Sequence, residues 1–192
     1  MVARNIQKKI ASEPNYQLSL LPSQVDTIAD IVRRDCYIGD FSIDIVKAAN
    51  KYDCIIQEVA FNGEDRDVSG MVYFDPKDTK FHIDINANDT EPRKRFAVAH
   101  ELSHVLLHGD KLKSVTSNAI VDYDRSIAYF KKHDDIIKEI HANMLASAIL
   151  LPRAQFETAY ESTKGSVDGI ADLFNVSKHA AFIRMETLNK FD

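Results

Sequence analysis

Residues 95–108 read RFAVAHELSHVLLH. Apolar residues occupy nearly every side of the helix that this segment predicts, which is typical of a helix buried in a core. The helix is predicted to begin at Thr90-Glu91-Pro92, because Thr can cap a helix and Pro is tolerated in the first turn. It is predicted to end at Gly109, since glycine commonly follows the last helical residue.

The same segment contains the motif His100-Glu101-Leu102-Ser103-His104. Histidines at positions i and i+4 lie on one helical face, where both imidazoles can reach one ion. Glu101 lies about 100° around the helix from His100, so it borders the site without lining up with the histidines. This arrangement suits a general base that takes a proton from zinc-bound water. Because polar side chains are costly to bury alone, the motif predicts a Zn²⁺ site.

Catalytic zinc takes three protein ligands and keeps one position open. Two candidates for the third ligand lie on a helix predicted over residues 134–151. His141 shares an apolar stripe with Met144 and Leu145, so periodicity places it on the buried face and predicts it as the ligand. Glu139 lies about 200° away around the helix and is the alternative.

Further residues are candidates for supporting roles. His108 lies about 12 Å along the helix axis from His100, too far to share the ion, and is predicted to support the site or the helix end. Tyr123 and Tyr129, in the connection between the two helices, could each supply a phenol that stabilises an oxyanion. Residues 93–95, Arg-Lys-Arg, are predicted to form a solvated helix edge.

Strands are predicted upstream of the motif helix. Residues 55–61 are apolar and β-prone, and residues 71–85 predict a hairpin closed over an Asp-Pro turn. The fold class is therefore predicted as α+β. We expect an N-terminal arm over residues 1–20, a main domain over 21–162 and C-terminal helices over 163–192.

Composition sets broad limits on function. The chain has 192 residues, 45% of them hydrophobic and 28% charged, with a net charge of −5. No apolar stretch approaches the roughly 18 residues of a membrane span, and the first residues lack the apolar core of a signal peptide. Two cysteines without a metal or redox spacing are expected to be reduced thiols, which predicts a cytoplasmic protein.

Several motifs, taken in order, resemble those of the ImmA/IrrE family of zinc peptidases. They are SGMVYF at residues 69–74, the segment 95–108, ANMLA at 142–146 with LLP at 150–152, and IADLFNVS at 170–177. The resemblance covers roughly residues 40–190. One position departs from it, because the family usually carries Glu immediately before the Ala-Asn pair, as third ligand, where this chain has His141.

The resemblance implies a minimal zincin-like fold, in which a small β-sheet packs against the HExxH helix and a helix-turn-helix-like pair follows. It further implies a zinc metalloendopeptidase that cleaves a helix-turn-helix repressor protein encoded nearby. Such cleavage derepresses mobile-element, phage or stress genes. The alternative is a non-catalytic regulatory or antitoxin-like binding protein with the same fold.

The C-terminal segment predicts two short helices, residues 166–174 and 178–188, around a turn at Asn175. A DNA-binding regulator acting through residues 166–188 is therefore a further alternative. Residues 164–192 contain four Lys/Arg and four Asp/Glu, so they lack a basic footprint. No nucleic-acid-binding residue is predicted, and we expect these helices to pack on the core or to dock a protein.

Overall fold

A computed structural model of the chain describes residues 20–34, 36–38, 40–118 and 135–189. The described elements are mixed α+β, as predicted, and run in the order α1 (Pro22–Arg33), β1 (Tyr37–Ile38), β2 (Ser42–Ile43), α2 (Ile45–Asn50), β3 (Cys54–Val59), a 3₁₀ turn (Gly63–Asp65), β4 (Gly70–Asp75), β5 (Lys80–Asn86), α3 (Glu91–Asn118), α4 (Asp135–Leu150), α5 (Arg153–Ser162), α6 (Val167–Phe174) and α7 (Lys178–Asn189). Within these ranges no helix is long and apolar enough to cross a membrane. Of the predicted arm, residues 1–20, only Leu20 lies among the described residues.

The main sheet has three strands in the order β3-β5-β4. Strands β4 and β5 form the predicted antiparallel hairpin, and β3 runs parallel to β5. Phe81, Ile83 and Ile85 alternate along β5 and are all buried, because successive side chains of a strand point to opposite faces. This apolar face packs against α3, which contacts both β4 and β5.

Helix α3 occupies the middle of the core. Ala99, Leu102 and Leu106 have no exposed surface, which confirms the predicted burial of this helix. Besides the sheet it packs against α2 and α4. Its metal motif is therefore held between the sheet on one side and α4 on the other.

One local prediction was wrong, and two elements were not predicted. Helix α3 does not end at Gly109 but continues to Asn118, since Gly109 lies within the helix and does not adopt the positive φ of a terminating glycine. Helix α5 and the short β1–β2 pair were not predicted, because a partly polar ten-residue helix and two-residue strands carry little periodic signal.

The predicted solvated edge at residues 93–95 is also only partly correct. Arg95 is half buried and donates hydrogen bonds to the carbonyl oxygens of Asn175 (3.0 Å) and Ile43 (3.0 Å). Asn175 adopts the left-handed conformation, φ 52°, that the predicted turn requires. Arg95 thus ties the start of α3 to the turn between α6 and α7.

A second arginine fastens the C-terminal helices to the core. Arg184 on α7 is 7% exposed and donates hydrogen bonds to the carbonyl oxygen of Leu151 (2.9 Å) and to a carboxylate oxygen of Asp26 (3.2 Å). Leu151 follows α4 and Asp26 lies on α1, so one side chain joins three helices. Hydrogen bonds that involve a charged group are worth about 1.5–3 kcal/mol each.

Replacing this arginine is expected to loosen the packing of α7. Arg184→Met should lower the free energy of unfolding by about 1.5–3 kcal/mol, because the Leu151 carbonyl loses its donor, whereas Asp26 keeps its ion pair with Arg153. Urea denaturation followed by circular dichroism measures the effect. The matched control is Lys178→Met on the same helix, whose ion pair with Asp168 is exposed and should contribute less than about 1 kcal/mol. Equal stability of the two variants would contradict this role for Arg184.

Candidate metal centre

Three side chains from two helices converge beside the start of α4. The Nε2 atom of His100 lies 3.1 Å from Oε2 of Glu139, and Nε2 of His104 lies 3.2 Å from Oε1 of the same carboxylate. The two Nε2 atoms are 3.0 Å apart. His100 and His104 come together because they are one helical turn apart on α3. Glu139 joins them because α4 packs alongside α3.

These distances fit one small divalent ion. Two ligands of a tetrahedral zinc, each about 2.05 Å from the ion, are about 3.3 Å apart, close to the three separations observed. Two imidazole nitrogens and one carboxylate form a common donor set for catalytic zinc. Among the described residues, no fourth His, Cys, Asp or Glu joins this group. The residues present therefore fit a three-ligand metal site.

Asn143 orients one of the histidines. Its Oδ1 lies 3.0 Å from Nδ1 of His100, so the amide oxygen accepts a hydrogen bond from the Nδ1–H and leaves the Nε2 lone pair directed at the centre. Asn143 is four residues after Glu139 and shares its face of α4. No role was predicted for Asn143, although its i+4 spacing from Glu139 is a signal that places it beside the site.

Loss of this hydrogen bond is expected to weaken metal binding. Asn143→Ala should lower metal affinity about 10–100-fold, because the His100 ring loses the acceptor that fixes its orientation and tautomer. Competition with a chromophoric zinc chelator measures the affinity. Glu157→Ala, at an exposed position on α5, is a control that should leave the affinity unchanged. Identical affinities for both variants would contradict the role of Asn143.

Glu101 lies beside the three donors and is not one of them. Its side chain is buried, with 8% of the residue exposed. Gly70, the first residue of edge strand β4, lies next to this side chain. A Cβ atom at position 70 would lie 3.4 Å from Oε1 of Glu101 and 3.3 Å from the Cβ of Ala97. The Glu101 carboxylate is thus buried next to the three donors, beside a strand residue that has no side chain.

The pKa values of the two carboxylates at this site, Glu101 and Glu139, shift in opposite directions. Burial raises the pKa of Glu101, although the charges of His104 and His100 oppose this effect. Hydrogen bonds from His100 and His104 lower the pKa of Glu139 far below its ordinary value. Burial by itself lowers the pKa of His100, but its hydrogen bond with Glu139 and the charges of Glu101 and Glu139 outweigh burial and raise it. Glu139 is therefore ionised and suited to coordinate a metal ion, whereas the carboxylate of Glu101 accepts a proton more readily than that of Glu139.

The structure does not bring His141, the predicted third ligand, into this group. This residue is buried and lies outside the cluster, and its Nε2 accepts a hydrogen bond from the backbone N–H of Leu20 at 3.3 Å. Burial lowers the pKa of His141, in keeping with a neutral acceptor. Glu139, the alternative, is the residue beside His100 and His104. Periodicity does not separate Glu139 from His141, because α4 packs against both α1 and α3 and the apolar stripe does not show which of these neighbours carries the metal motif.

Three further residues, His108, Tyr123 and Tyr129, were predicted to support the site. The ring centroid of His108 lies 5.8 Å from that of His104, so His108 is next to the ligand helix face but outside the donor group. Tyr123 and Tyr129 lie outside the described residues. The predicted oxyanion role of the two tyrosines stays a prediction.

One side of the centre is open to solvent. The side chain of His104 is only 5% exposed and that of His100 is 16% exposed, but that of Glu139 is 43% exposed. Among the described residues, solvent therefore reaches the three donors mainly at Glu139. A centre with three ligands and one open side can admit water and a substrate, as a catalytic metal site must.

This fold and this donor group define a metallopeptidase-type domain. Residues 59–186 match the IrrE N-terminal-like domain family, Peptidase_M78, which is more than half of the chain. The chain therefore belongs to this family.

One solved structure has a fold similar to that of this chain. A Mycobacterium tuberculosis transcriptional regulator superposes with a TM-score of 0.57 at 14% sequence identity, over 94% of this chain and 50% of the other. This chain thus spans about half the length of that regulator. A comparison with curated proteins found no significant match.

Proposed function

We propose that this chain is a zinc-dependent endopeptidase that cleaves a specific cytoplasmic protein, a helix-turn-helix transcriptional repressor encoded near its own gene. The observation that carries this proposal is the convergence of His100, His104 and Glu139 with a buried glutamate, Glu101, beside them. Family membership supports peptidase chemistry. The repressor substrate is an inference from the ImmA/IrrE resemblance.

His100, His104 and Glu139 are the residues that would hold the zinc ion. When bound, zinc polarises a peptide carbonyl and lowers the pKa of water to about 7. Asn143 keeps the His100 ring in the orientation that binding requires, through its 3.0 Å contact with Nδ1. The buried neighbours of these residues on α3 hold the two imidazoles rigidly, so little reorganisation accompanies the reaction.

Glu101 moves the proton. Its carboxylate accepts a proton from the attacking water and then delivers that proton to the nitrogen of the leaving amine. Burial raises its pKa towards the working pH, which suits a group that must both take and give a proton. The residue is only 8% exposed, so bulk water has little access to this carboxylate.

The C-terminal helices support a protein partner better than a nucleic acid. Arg184 is buried against Leu151 and Asp26, and Lys178 is paired with Asp168, so two basic side chains of these helices already have partners. Phe182 and Ile183 on α7 are each 45% exposed. Two exposed apolar side chains, with few unpaired Lys or Arg side chains near them, favour contact with a protein over contact with nucleic-acid phosphates. The structural likeness to a transcriptional regulator is compatible with a role in gene regulation.

The proposal is tested with a helix-turn-helix repressor encoded beside the gene. Purified chain loaded with zinc should cleave this repressor at one or a few bonds, as seen by gel electrophoresis and mass spectrometry. Chelation of the metal should stop cleavage, and added zinc should restore it. If zinc-loaded protein leaves the repressor intact while binding it tightly, the non-catalytic regulator is the better description.

A further inference from the structure

A second group of metal-ligating side chains lies at the turn that joins β4 to β5. It consists of Asp75, Asp78 and His82, and we call it the hairpin cluster. One donor atom from each residue lies within 4.8 Å of the other two. We propose that the hairpin cluster binds a divalent transition-metal ion. This site shares no residue with the His100–His104–Glu139 centre and does not depend on the proposed function.

The register of the hairpin explains why the three residues meet. Asp75 lies opposite Lys80, and Tyr73 lies opposite His82, so Asp75 and His82 are diagonal neighbours on one face of the sheet. Asp78 follows in the turn itself. Its Oδ2 lies 2.9 Å from Nε2 of His82. A short loop therefore brings two carboxylates and an imidazole to one point.

The donors are held in place before any ion binds. Oδ1 of Asp75 accepts a hydrogen bond from the backbone N–H of Lys77 (2.8 Å), and Oδ1 of Asp78 accepts one from that of Lys80 (3.0 Å). Each carboxylate keeps its second oxygen for another partner. The His82 ring stacks on Tyr73 with centroids 5.2 Å apart and an interplanar angle of 13°. Fixed donors lose little conformational entropy when they coordinate an ion.

Charge and burial also favour a cation. The His82 side chain is 12% exposed, and its Nε2 faces the carboxylate of Asp78. Burial raises the pKa of Tyr73, and the charges of Asp84, Asp75 and Asp78 raise it further, which indicates a negative potential on this face. An ion pair of His82 with Asp78 engages only these two side chains, whereas a shared cation engages Asp75 as well.

The donor chemistry selects the kind of ion. Ca²⁺ and Mg²⁺ prefer ligand sets made only of oxygen, whereas one imidazole nitrogen with two carboxylates suits Zn²⁺, Co²⁺ or Mn²⁺. The Asp78 side chain is 40% exposed, so water can complete the coordination shell. Three protein ligands at a half-exposed turn form a site that should exchange its ion readily.

The test is a count of zinc ions bound to full-length variants after equilibrium dialysis, with elemental analysis as the readout. Wild-type protein should bind about two ions, one at each three-ligand site. His82→Gln and Asp75→Asn should each bind about one, and His104→Asn should also bind about one because it keeps the hairpin cluster. His179→Gln, which replaces an exposed histidine on α7, is the matched control and should bind as wild type does. Circular dichroism checks that each variant is folded.

The outcomes separate this proposal from the proposed function. Loss of one ion in both His82→Gln and Asp75→Asn, with His179→Gln unchanged, supports the hairpin site whatever His104→Asn does. If His82→Gln and Asp75→Asn bind as many ions as wild type, the hairpin proposal is wrong, even when His104→Asn loses its ion. If His104→Asn alone retains the wild-type count, the failure concerns the candidate catalytic centre.

Discussion

Replacement of Glu101 by glutamine is expected to abolish peptide hydrolysis while metal binding persists. Proton transfer by a positioned side chain contributes about 10²–10⁴-fold to a rate, and the amide of glutamine cannot accept the proton at neutral pH. Glutamine has nearly the same size as glutamate, so the space under Gly70 remains filled and the fold should be kept. Removing a buried carboxylate whose pKa is raised by burial should not reduce stability.

Two measurements on Glu101→Gln check this expectation. The initial rate of repressor cleavage should fall at least about 100-fold, whereas zinc content after dialysis should equal that of wild type. Glu157→Gln, an exposed glutamate on α5, controls for the loss of one negative charge and should cleave normally. Undiminished cleavage by Glu101→Gln would show that another group transfers the proton. Loss of zinc in this variant would show that Glu101 helps to hold the ion.

The second large effect is expected at Glu139, and it decides the identity of the third ligand. Glu139→Gln should weaken zinc binding at least about 100-fold, since it removes a charged ligand, a change at least as severe as loss of a supporting hydrogen bond. Cleavage should fall with metal occupancy. The Glu139 carboxylate lies 3.1 and 3.2 Å from the two imidazole nitrogens, so no other described carboxylate stands in for it.

His141→Gln is the matched variant, because His141 lies two residues further along the same helix. Glutamine can still accept the backbone N–H of Leu20, so the fold and the zinc affinity should both be close to wild type. Calorimetric titration with zinc compares the two variants. A large loss in His141→Gln together with a small loss in Glu139→Gln would restore His141 as the ligand and refute the assignment made from the structure.

The choice between these residues has a chemical consequence. A site with three histidines holds zinc with neutral ligands, whereas Glu139 adds one negative charge to the centre. The carboxylate partly neutralises the ion, so the water in the site should be less acidic than in a site with three histidines. The strongly lowered pKa of Glu139 means that this charge is present at neutral pH.

Much of the fold follows from local patterns in the sequence. Residues 71–85 predicted a hairpin, and the apolar helix from residue 91 predicted a core element. Such patterns work because helix and strand periods are set by backbone geometry. Asn175 was also predicted correctly, since asparagine tolerates a positive φ better than most residues.

Other features depend on neighbours that lie far apart in the sequence. A glycine often marks the end of a helix, yet Gly109 is buried inside α3 and the helix continues to Asn118. Arg95, expected at a solvated edge, contacts Asn175 across 80 positions of the chain. Tertiary packing outweighed the local preference at both positions.

The metal centre also combines features that the sequence predicts with features that depend on tertiary packing. By itself, the sequence determined that His100 and His104 face one point and that Glu101 stands beside them, because all three spacings lie within one helical turn. Only the tertiary structure decided that Glu139 completes the group, that Asn143 orients His100 and that His141 turns away to Leu20. Periodicity shows which faces of a helix are buried, but the neighbour that covers each face is fixed only when α1, α3 and α4 pack together.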